Sequence, residues 1–441
     1  MKNLFKKIII FILTTEAKLV LWKYKPKIVA ITGSVGKTST KDAVYAVISK
    51  ISYARKSEKS FNSEIGVPLT ILGCRNGWSN PFIWFENIFL GLWLFIWPHK
   101  YPNWLILEVG IDKPGDMQAT ASWLKTHAVI ITAIGEVPVH VEFFDSVKNL
   151  VEEKSQLIKT LNKDGFLILN ADDKLVLELK TKSKNRTITY GFNPEADVIC
   201  SCNNISYGKL NEPDGINFKV DVDGKSLPVN LEKVFGKNHL YAALSALAFA
   251  FSFKLNMLNA IDALRNYDIP PGRMKLLKGI NKTLIIDDTY NSSPAACEAA
   301  LKILGEIKSQ LNATVPTKPE ARKIAVLGDM LELGKHTKEA HKNIGFIAKE
   351  NSDIIITVGP RAQSIKEGAI EAGIDLKNIF EFSNSIEAKE FLKKFIKKND
   401  LILIKGSQGM RMERIVGELI LDQENKKKLI VRQEIEWLAK E

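Results

Sequence analysis

The sequence has few cysteines for its length. Four occur in 441 residues, Cys74, Cys200, Cys202 and Cys297, which is too few for a disulfide framework. Cys200-x-Cys202 lacks a second Cys or His pair at the spacing that a zinc site requires, so we predict that it lies in a strand. Such sparse cysteine is typical of a reducing compartment, and we expect a cytoplasmic protein.

Long hydrophobic runs are also absent. Lys2, Lys6 and Lys7 precede the six-residue apolar run Ile8–Leu13, which has no small-residue cleavage site behind it and is therefore no signal peptide. The longest run, Phe82–Trp97, has 16 residues. As a helix it would span about 24 Å, less than the roughly 30 Å of a bilayer core, so we do not expect it to cross a membrane.

Charge is concentrated at the N terminus. The net charge is +12, and residues 1–27 hold seven Lys and one Glu. Apolar residues at 5, 9, 12, 13, 17, 20, 21 and 24 fit one face of a helix that either docks on the protein or contacts a membrane. Phe82–Trp97 lies in a tryptophan-rich stretch, 78–104, and is either a buried helix or an interfacial segment. A basic end joined to apolar residues favours an anionic membrane surface over nucleic acid.

Strand and helix patterns alternate along most of the chain. Hydrophobic residues make up 45% and charged residues 25%, which excludes a disordered or collagen-like chain, and the length predicts two or three domains. Residues 186–235 carry short β-type runs that indicate an antiparallel edge, and the breaker cluster at 269–273 is the best domain boundary. Ser309–Arg322 is predicted to be a surface loop. The predicted strands are Lys27–Thr32, Trp104–Val109, Ala128–Ala133, Gly165–Asn170, Thr283–Asp287, Lys323–Leu327, Asp353–Val358 and Leu401–Lys405.

The strongest motif is Thr32–Ser39, TGSVGKTS, between a predicted strand and a predicted helix. Its glycines allow backbone N–H groups to surround phosphate oxygens at a helix N terminus. Lys37 would reach the β- and γ-phosphates and Thr38 would offer a hydroxyl to Mg²⁺, although Ile31 stands where the general P-loop has its first glycine. Glu108 ends a neighbouring apolar strand, where a nucleotide-bound Mg²⁺ needs an oxygen ligand.

Nine segments in a fixed order resemble one family. They are ITGSVGKTSTKD (31–42), FNSEIGVPLTIL (61–72), LEVGIDKPGDM (107–117), HVEFFDS (140–146), EEKSQLI (152–158), PGRMK (271–275), DDTYNSSP (287–294), VLGDMLELG (326–334) and IKGSQGMRME (404–413). Together they resemble the Mur ligases, ATP-dependent amide-forming enzymes of peptidoglycan synthesis, and most closely the MurF type. The expected fold class is α/β, with a central P-loop ATPase-type parallel-sheet domain and a C-terminal Rossmann-like α/β domain. The expected bounds are 1–26 for the basic N-terminal segment, 27–269 for the central domain and 270–441 for the C-terminal domain.

The resemblance implies roles for individual residues. The implied catalytic residues are Lys37, Lys154, His140 and Arg273. The implied nucleotide-binding residues are Gly33, Ser34, Val35, Gly36, Lys37, Thr38, Ser39, Asn238, His239, Arg273 and Asp288. The implied Mg²⁺ ligands are Thr38, Glu108, His140 and Lys154, the last as a carbamate, which requires a neutral amine first. The implied substrate-side residues are Asn62, Tyr290, Asn291, Lys405 and Ser407.

The sequence departs from the family pattern in two places. Residues 236–242 reverse the family's His–Asn order and place Ala242 at the second Asn, which puts adenine contacts there in doubt. The family also places a UDP-binding domain before the P-loop, whereas about 30 residues precede it here, too few for such a domain. How a UDP-sugar would be held is therefore open.

The resemblance implies an acid–D-amino-acid ligase. It would add D-alanyl-D-alanine to a UDP-N-acetylmuramoyl tripeptide through an acyl phosphate, with ATP and Mg²⁺ as cofactors. The expected partners are these small molecules and no nucleic acid, and we expect a cytoplasmic monomer, with contact at the inner face of the plasma membrane left open. The alternatives are a Mur-like ligase with another amino acid or amine, and a membrane-surface nucleotide-binding protein that has lost catalysis.

Overall fold

Two β-sheets organise the chain. The computed structural model describes residues 2–57, 61–78, 80–111, 113–135, 144, 146–208, 213–265, 267, 269–314 and 322–439. The strands of the first sheet are β1 (Lys27–Thr32), β2 (Ala54–Lys56), β3 (Trp104–Glu108), β4 (Thr126–Ile131), β5 (Leu161–Asn170), β6 (Arg186–Gly191), β7 (Val198–Tyr207), β8 (Pro213–Val222) and β9 (Lys225–Glu232). Those of the second are β10 (Lys275–Lys278), β11 (Leu284–Asp288), β12 (Lys323–Gly328), β13 (Ile354–Val358), β14 (Ile379–Phe382) and β15 (Leu401–Lys405).

Helices cover both sheets. In the first half of the chain they are α1 (Lys2–Tyr24), α2 (Lys37–Ser49), α3 (Gly66–Leu72), α4 (Pro81–Ile96), α5 (Asp116–Ala121), α6 (Val147–Ser155), α7 (Lys174–Leu177), α8 (Lys237–Ser252) and α9 (Met257–Arg265). In the second half they are α10 (Pro294–Thr314), α11 (Thr337–Asn351), α12 (Gln363–Glu371), α13 (Ser385–Phe395), α14 (Glu413–Leu419), α15 (Lys426–Leu429) and α16 (Ile435–Leu438).

The first sheet is parallel at its centre and antiparallel at one edge. Its order is β2-β3-β1-β4-β5-β6-β7-β8-β9, and the pairs β7–β8 and β8–β9 are antiparallel, which confirms the edge predicted for 186–235. In β1, Val29 and Ile31 face the core beneath α8, whereas Ile28 and Ala30 face the core beneath α1 and α3. Burial on both faces explains why this strand is a continuous apolar run. Cys200 and Cys202 lie in β7, as predicted, and all four cysteines are free.

The second sheet has the order β10-β11-β15-β12-β13-β14, with a single antiparallel pair, β10–β11, among the described strands. The predicted α/β class with two mainly parallel sheets is thus confirmed. The loop predicted at Ser309–Arg322 is wrong for its first six residues, because α10 continues to Thr314. Residues 309–314 contain no Gly or Pro, so nothing in their sequence ends the helix there. Residues 315–321 lie outside the described residues.

The N-terminal helix docks on the protein. Ile9, Leu13, Ala17 and Val20 of α1 are buried, and its last turn donates from Lys23 Nζ to the Phe95 carbonyl at 2.6 Å. This confirms the docked helix. No helix in the described part of the chain combines the length and the apolar character needed to cross a membrane.

The tryptophan-rich segment forms α4, but the alternative that this helix is buried is wrong. Only Trp84, Asn87 and Gly91 of α4 are buried. Their spacing places them on one narrow side, and that side packs against α1, where the Glu16 side chain occupies the space beside Gly91. Ile88, Leu94 and Phe95 are partly buried against the same core, whereas most of the other apolar side chains of α4 are exposed. The interfacial alternative stays a prediction.

Candidate active site

The carboxyl end of β1 opens into a cleft of about 700 Å³ that residues of both sheets line. Ligands of open parallel sheets bind at this edge. The cleft brings together most of the residues predicted from the sequence. Those that line it are Ser34, Val35, Gly36, Lys37, Thr38, Ser39, Asn62, Glu108, Asn238, His239, Arg273, Asp288, Tyr290, Asn291, Lys405 and Ser407. His140 lies outside the described residues, so its predicted role as catalytic residue and ligand stays a prediction.

The glycine-rich turn between β1 and α2 differs in one respect from the prediction. Gly33 has φ +145°, and a side chain there would collide with Thr132, so glycine is required. The N–H groups of Ser34 and Val35 donate to the Ala133 carbonyl at 2.7 and 3.1 Å instead of facing the cleft. This acceptor lies two residues beyond the end of β4. Among the residues predicted to bind phosphate, those that open α2 keep a favourable position, because the helix dipole there attracts an anion.

A buried carboxylate lies at the start of α2. Glu108, at the end of β3, accepts a hydrogen bond from Thr38 Oγ1 at 2.9 Å and from Asn62 Nδ2 at 3.3 Å. Arg273 Nη2 donates to the same Thr38 hydroxyl at 2.9 Å. β1 and β3 are parallel neighbours, which places the P-loop and this carboxylate at one sheet edge. A hydroxyl and a carboxylate within hydrogen-bond distance are the hard oxygen donors that Mg²⁺ prefers, so this pair fits the predicted ion.

Lys41 is a cleft-side residue that the sequence analysis missed. It is buried one helical turn after Lys37, with its Nζ 3.9 Å from Glu108 Oε2 and 3.8 Å from Asp42 Oδ1. Burial lowers the pKa of Lys41, whereas the carboxylates of Asp42 and Glu108 raise it. The i,i+4 spacing from Lys37 was the available signal. Beside Glu108, this lysine balances the charge of a carboxylate that would otherwise be buried alone.

Lys154 and Lys37 share one acceptor. Lys37 Nζ lies 2.9 Å from the Gly33 carbonyl oxygen, and Lys154 Nζ lies 3.1 Å from the same oxygen. Lys154 is buried in the last turn of α6. Burial, and next the charge of Lys37, hold the pKa of Lys154 well below its ordinary value. The structure thus places at the P-loop a lysine that favours the neutral amine, as carbamylation requires.

The second sheet contributes an ion pair and a stacked arginine. Asp288 and Lys405 are register partners on β11 and β15, and Lys405 Nζ donates to Asp288 Oδ2 at 2.6 Å and to the Asn291 carbonyl at 3.0 Å. The Arg273 guanidinium lies 4.0 Å from the centre of the Tyr290 ring. Lys405 is itself buried, so it orders Asp288 and the 288–291 segment. These five residues form the wall of the cleft opposite the P-loop.

Asn238 and His239 open α8 beside this wall. The His239 ring is buried between the Tyr267 hydroxyl, which contacts Nδ1, and the Arg273 carbonyl, 2.9 Å from Nε2. Burial lowers the pKa of His239 to about 4, so the ring is neutral at physiological pH. Both ring nitrogens are engaged within the protein. The nucleotide-binding roles of Asn238 and His239 stay predictions.

The C-terminal segment reaches the cleft, which the sequence analysis also missed. Trp437 lines the cleft and makes an edge-to-face contact with Trp78, with ring centres 6.4 Å apart. Arg432 donates to the Thr289 carbonyl at 3.0 Å and to Glu413 at 3.1 Å, which fixes the segment on the second sheet. A single Trp after a run of lysines gives no indication in the sequence that its side chain lies at a cleft.

Fold and cleft together define a P-loop α/β protein whose second, Rossmann-like sheet faces the P-loop edge of the first. Two family models match the chain, Mur ligase middle domain at residues 31–250 and Mur ligase, glutamate ligase domain at residues 272–408. The chain belongs to the Mur ligase family, because these two models cover most of its length.

Relatives and solved structures agree with this assignment. A UDP-N-acetylmuramoyl-tripeptide–D-alanyl-D-alanine ligase of Bacillus subtilis is 28% identical over 405 residues, which span 92% of this chain and 78% of the relative. The ligase of the same name from Escherichia coli is 26% identical over 398 residues, 89% and 76% of the two chains. The MurF ligase of Thermotoga maritima in complex with ADP shares the fold, with a TM-score of 0.73 at 22% identity over 95% of this chain and 84% of that one.

Proposed function

We propose that the chain is an ATP-dependent carboxylate–amine ligase that adds D-alanyl-D-alanine to a UDP-N-acetylmuramoyl tripeptide in peptidoglycan precursor synthesis. One observation carries the proposal: Thr38, Glu108 and Arg273, from three separate segments, form a single hydrogen-bonded group at the P-loop. Such a group suits phosphoryl transfer, which depends on positioning and charge neutralisation. The relatives named above, matched over most of their length, support this choice of substrates.

The charged and polar residues of the cleft have distinct proposed roles. ATP and Mg²⁺, when bound, supply the phosphoryl group and a divalent charge. Lys37 offers a mobile ammonium to the phosphates, and Thr38 and Glu108 would hold the ion, with Lys41 keeping the Glu108 site electrically balanced. Arg273 brings a second cation to the same point from the other sheet. Asn291, ordered by Lys405, lines the side where we place the incoming amine, and Asp288, paired with the same lysine, keeps its proposed role at the nucleotide.

Lys154 is proposed to act as a carbamate. Its neutral amine can add to carbon dioxide, forming an N–C bond and releasing one proton. The resulting anion would lie beside Lys37. It could help to hold Mg²⁺, for which Thr38 and Glu108 are the other ligands proposed within the described part of the chain. The proposal is supported by the burial of the amine and by its shared acceptor with Lys37.

We further propose a cytoplasmic monomer with the domain bounds 1–26, 27–269 and 270–441. Helix α9 ends at Arg265 and β10 of the second sheet begins at Lys275, which supports the boundary near residue 269.

Mass spectrometry of the product tests the function. We expect UDP-muramoyl tripeptide, ATP and D-alanyl-D-alanine to give the pentapeptide product and ADP. Lys37→Ala should abolish ADP release because the phosphates lose their mobile cation, while the circular dichroism spectrum stays unchanged. ADP release with a different amine from a donor panel, and none with the dipeptide, would instead identify a Mur-like ligase of other specificity. Absence of ADP release with every donor would refute the ligase.

A further inference from the structure

Helices α1 and α4 leave large apolar side chains exposed to solvent. The most exposed of them belong to both helices, and we call them the two-helix patch: Phe11, Trp22, Phe82, Phe85, Phe89 and Ile96. Each is at least 57% exposed, and Phe82 is 83% exposed. Single exposed apolar residues are ordinary on a protein surface, but a group of this size on two neighbouring helices marks an interaction site.

The two helices pack side by side and run in the same direction. Glu16 of α1 lies against Gly91 of α4, and about two turns further along α1 Lys23 Nζ donates to carbonyls at the end of α4. The two helices are therefore direct neighbours, and each exposes apolar side chains to solvent. On α4 aromatic rings also stack on each other, with 6.0 Å between the ring centres of Phe89 and Trp93, and Trp97, directly after the helix, stacks on Trp93 at 4.2 Å.

Positive charge accompanies the apolar side chains. Lys6, Lys7, Lys18 and Lys25 of the N-terminal segment are exposed, and Lys18 lies between Phe11 and Trp22 along α1. The acid of the same segment, Glu16, is buried beneath the helix. The two helices thus present aromatic rings and ammonium groups, and the exposed acid of α4, Glu86, is paired with Arg75.

We propose that the two-helix patch docks the protein on the surface of an anionic lipid bilayer, with α1 and α4 lying in the interface. Phe and Trp rings enter the headgroup–acyl boundary while lysines contact acidic headgroups. A protein partner or a second copy fits less well, because lysine is depleted at the centre of protein interfaces. Nucleic acid would bind the lysines but leave the aromatic rings of the helices in water. The proposal does not rest on the ligase function.

Vesicle co-sedimentation of the full chain tests the proposal. We expect it to pellet with vesicles of phosphatidylcholine mixed with phosphatidylglycerol, and weakly with phosphatidylcholine alone. Phe85→Asp and Phe89→Asp should each lower the partition constant about tenfold or more, because each removes an aromatic side chain that would be buried in the bilayer. Lys18→Glu should lower binding to the anionic vesicles by about fivefold or more, since a lysine near such a surface contributes about that factor. Added salt should weaken binding in the same way.

A matched control is Leu258→Asp on α9, which is 64% exposed and lies outside the patch. It should pellet like the unmodified chain, and all variants should keep its circular dichroism spectrum and Tm. Equal pelleting of the Phe85→Asp and Leu258→Asp variants, or no binding to anionic vesicles, would overturn the proposal. So would an oligomer in sedimentation velocity that Phe85→Asp dissociates, because the patch would then be an interface between copies.

Discussion

Glu16 is a buried acid between α1 and α4. Neither of its carboxylate oxygens has a hydrogen-bond partner among the described residues, and burial raises its pKa to about 7. The folded state therefore holds this proton more tightly than the unfolded chain, whose pKa is near 4.5. Stability from this group is greatest below pH 4.5 and falls as the pH rises toward 7. The neighbouring Cys74 thiol does not titrate in that window, because burial raises its pKa to about 11.

Glu16→Gln should remove this pH dependence. We expect the Tm of the unmodified chain to fall relative to that of the variant between pH 4.5 and 7, since the variant cannot ionise at this position. Differential scanning calorimetry across that range measures the difference. Glu86→Gln, an exposed residue of α4 in an ion pair with Arg75, is the control and should follow the unmodified chain. A difference in Tm between the two proteins that stays the same at all pH values would show that the pKa of Glu16 is not raised in the folded state.

At Lys154, replacement by Ala should abolish ADP release, and added short-chain carboxylic acids should partly restore it by supplying the missing anion. Steady-state assays with and without acetate or propionate measure both effects. Lys148→Ala on the exposed face of α6 is the matched control and should retain activity. Full activity of Lys154→Ala would rule out the carbamate, whereas loss without rescue would leave Lys154 as a packing residue of the P-loop.

At the scale of the element, α8 anchors the segment that carries Arg273. The His239 ring joins the Tyr267 hydroxyl and the Arg273 carbonyl. We expect His239→Ala to lower the free energy of unfolding by roughly 1–3 kcal/mol, because it leaves buried polar groups unpaired. It should also raise the KM for ATP, since Arg273 loses its support. Urea unfolding and initial-rate kinetics check the two effects, and recovery of stability by His239→Gln would identify the hydrogen bonds as their cause. An unchanged KM would show that α8 does not position Arg273.

The elements divide sharply into those that the sequence predicted and those that it could not. The bounds of β1 and β15 match the prediction, because a strand buried on both faces is an apolar run between polar ends. The exposure of α4 was not predictable, since a core helix and an interfacial helix are both apolar nearly all round. The P-loop residues and Glu108 could be found by motif and strand end. Trp437 could not, because its place depends on contacts far away in the chain.

At the scale of the whole molecule, Arg273 connects the two sheets through the Thr38 hydroxyl. We expect Arg273→Ala to lower kcat/KM for ATP by at least about 100-fold, the usual effect of losing one charge-stabilising donor at a transferring group. Arg265→Ala, an exposed arginine paired with Glu232, is the control and should have no effect on kinetics. ADP-release kinetics check this. A tenfold or smaller loss would place Arg273 outside the reaction centre.

The contact between Trp78 and Trp437 has a spectroscopic consequence. Trp78 lies in the loop before α4, in the half of the chain that forms the first sheet. Trp437 lies in the C-terminal segment, which Arg432 and Glu413 fix on the second sheet. Indoles at this distance couple optically and give a paired signal in near-ultraviolet circular dichroism. Any separation of the two halves around the cleft would erase that signal. The Trp78–Trp437 pair is thus a label-free probe of the distance between the two halves of the chain, in addition to the fixed contribution of the Trp93–Trp97 pair.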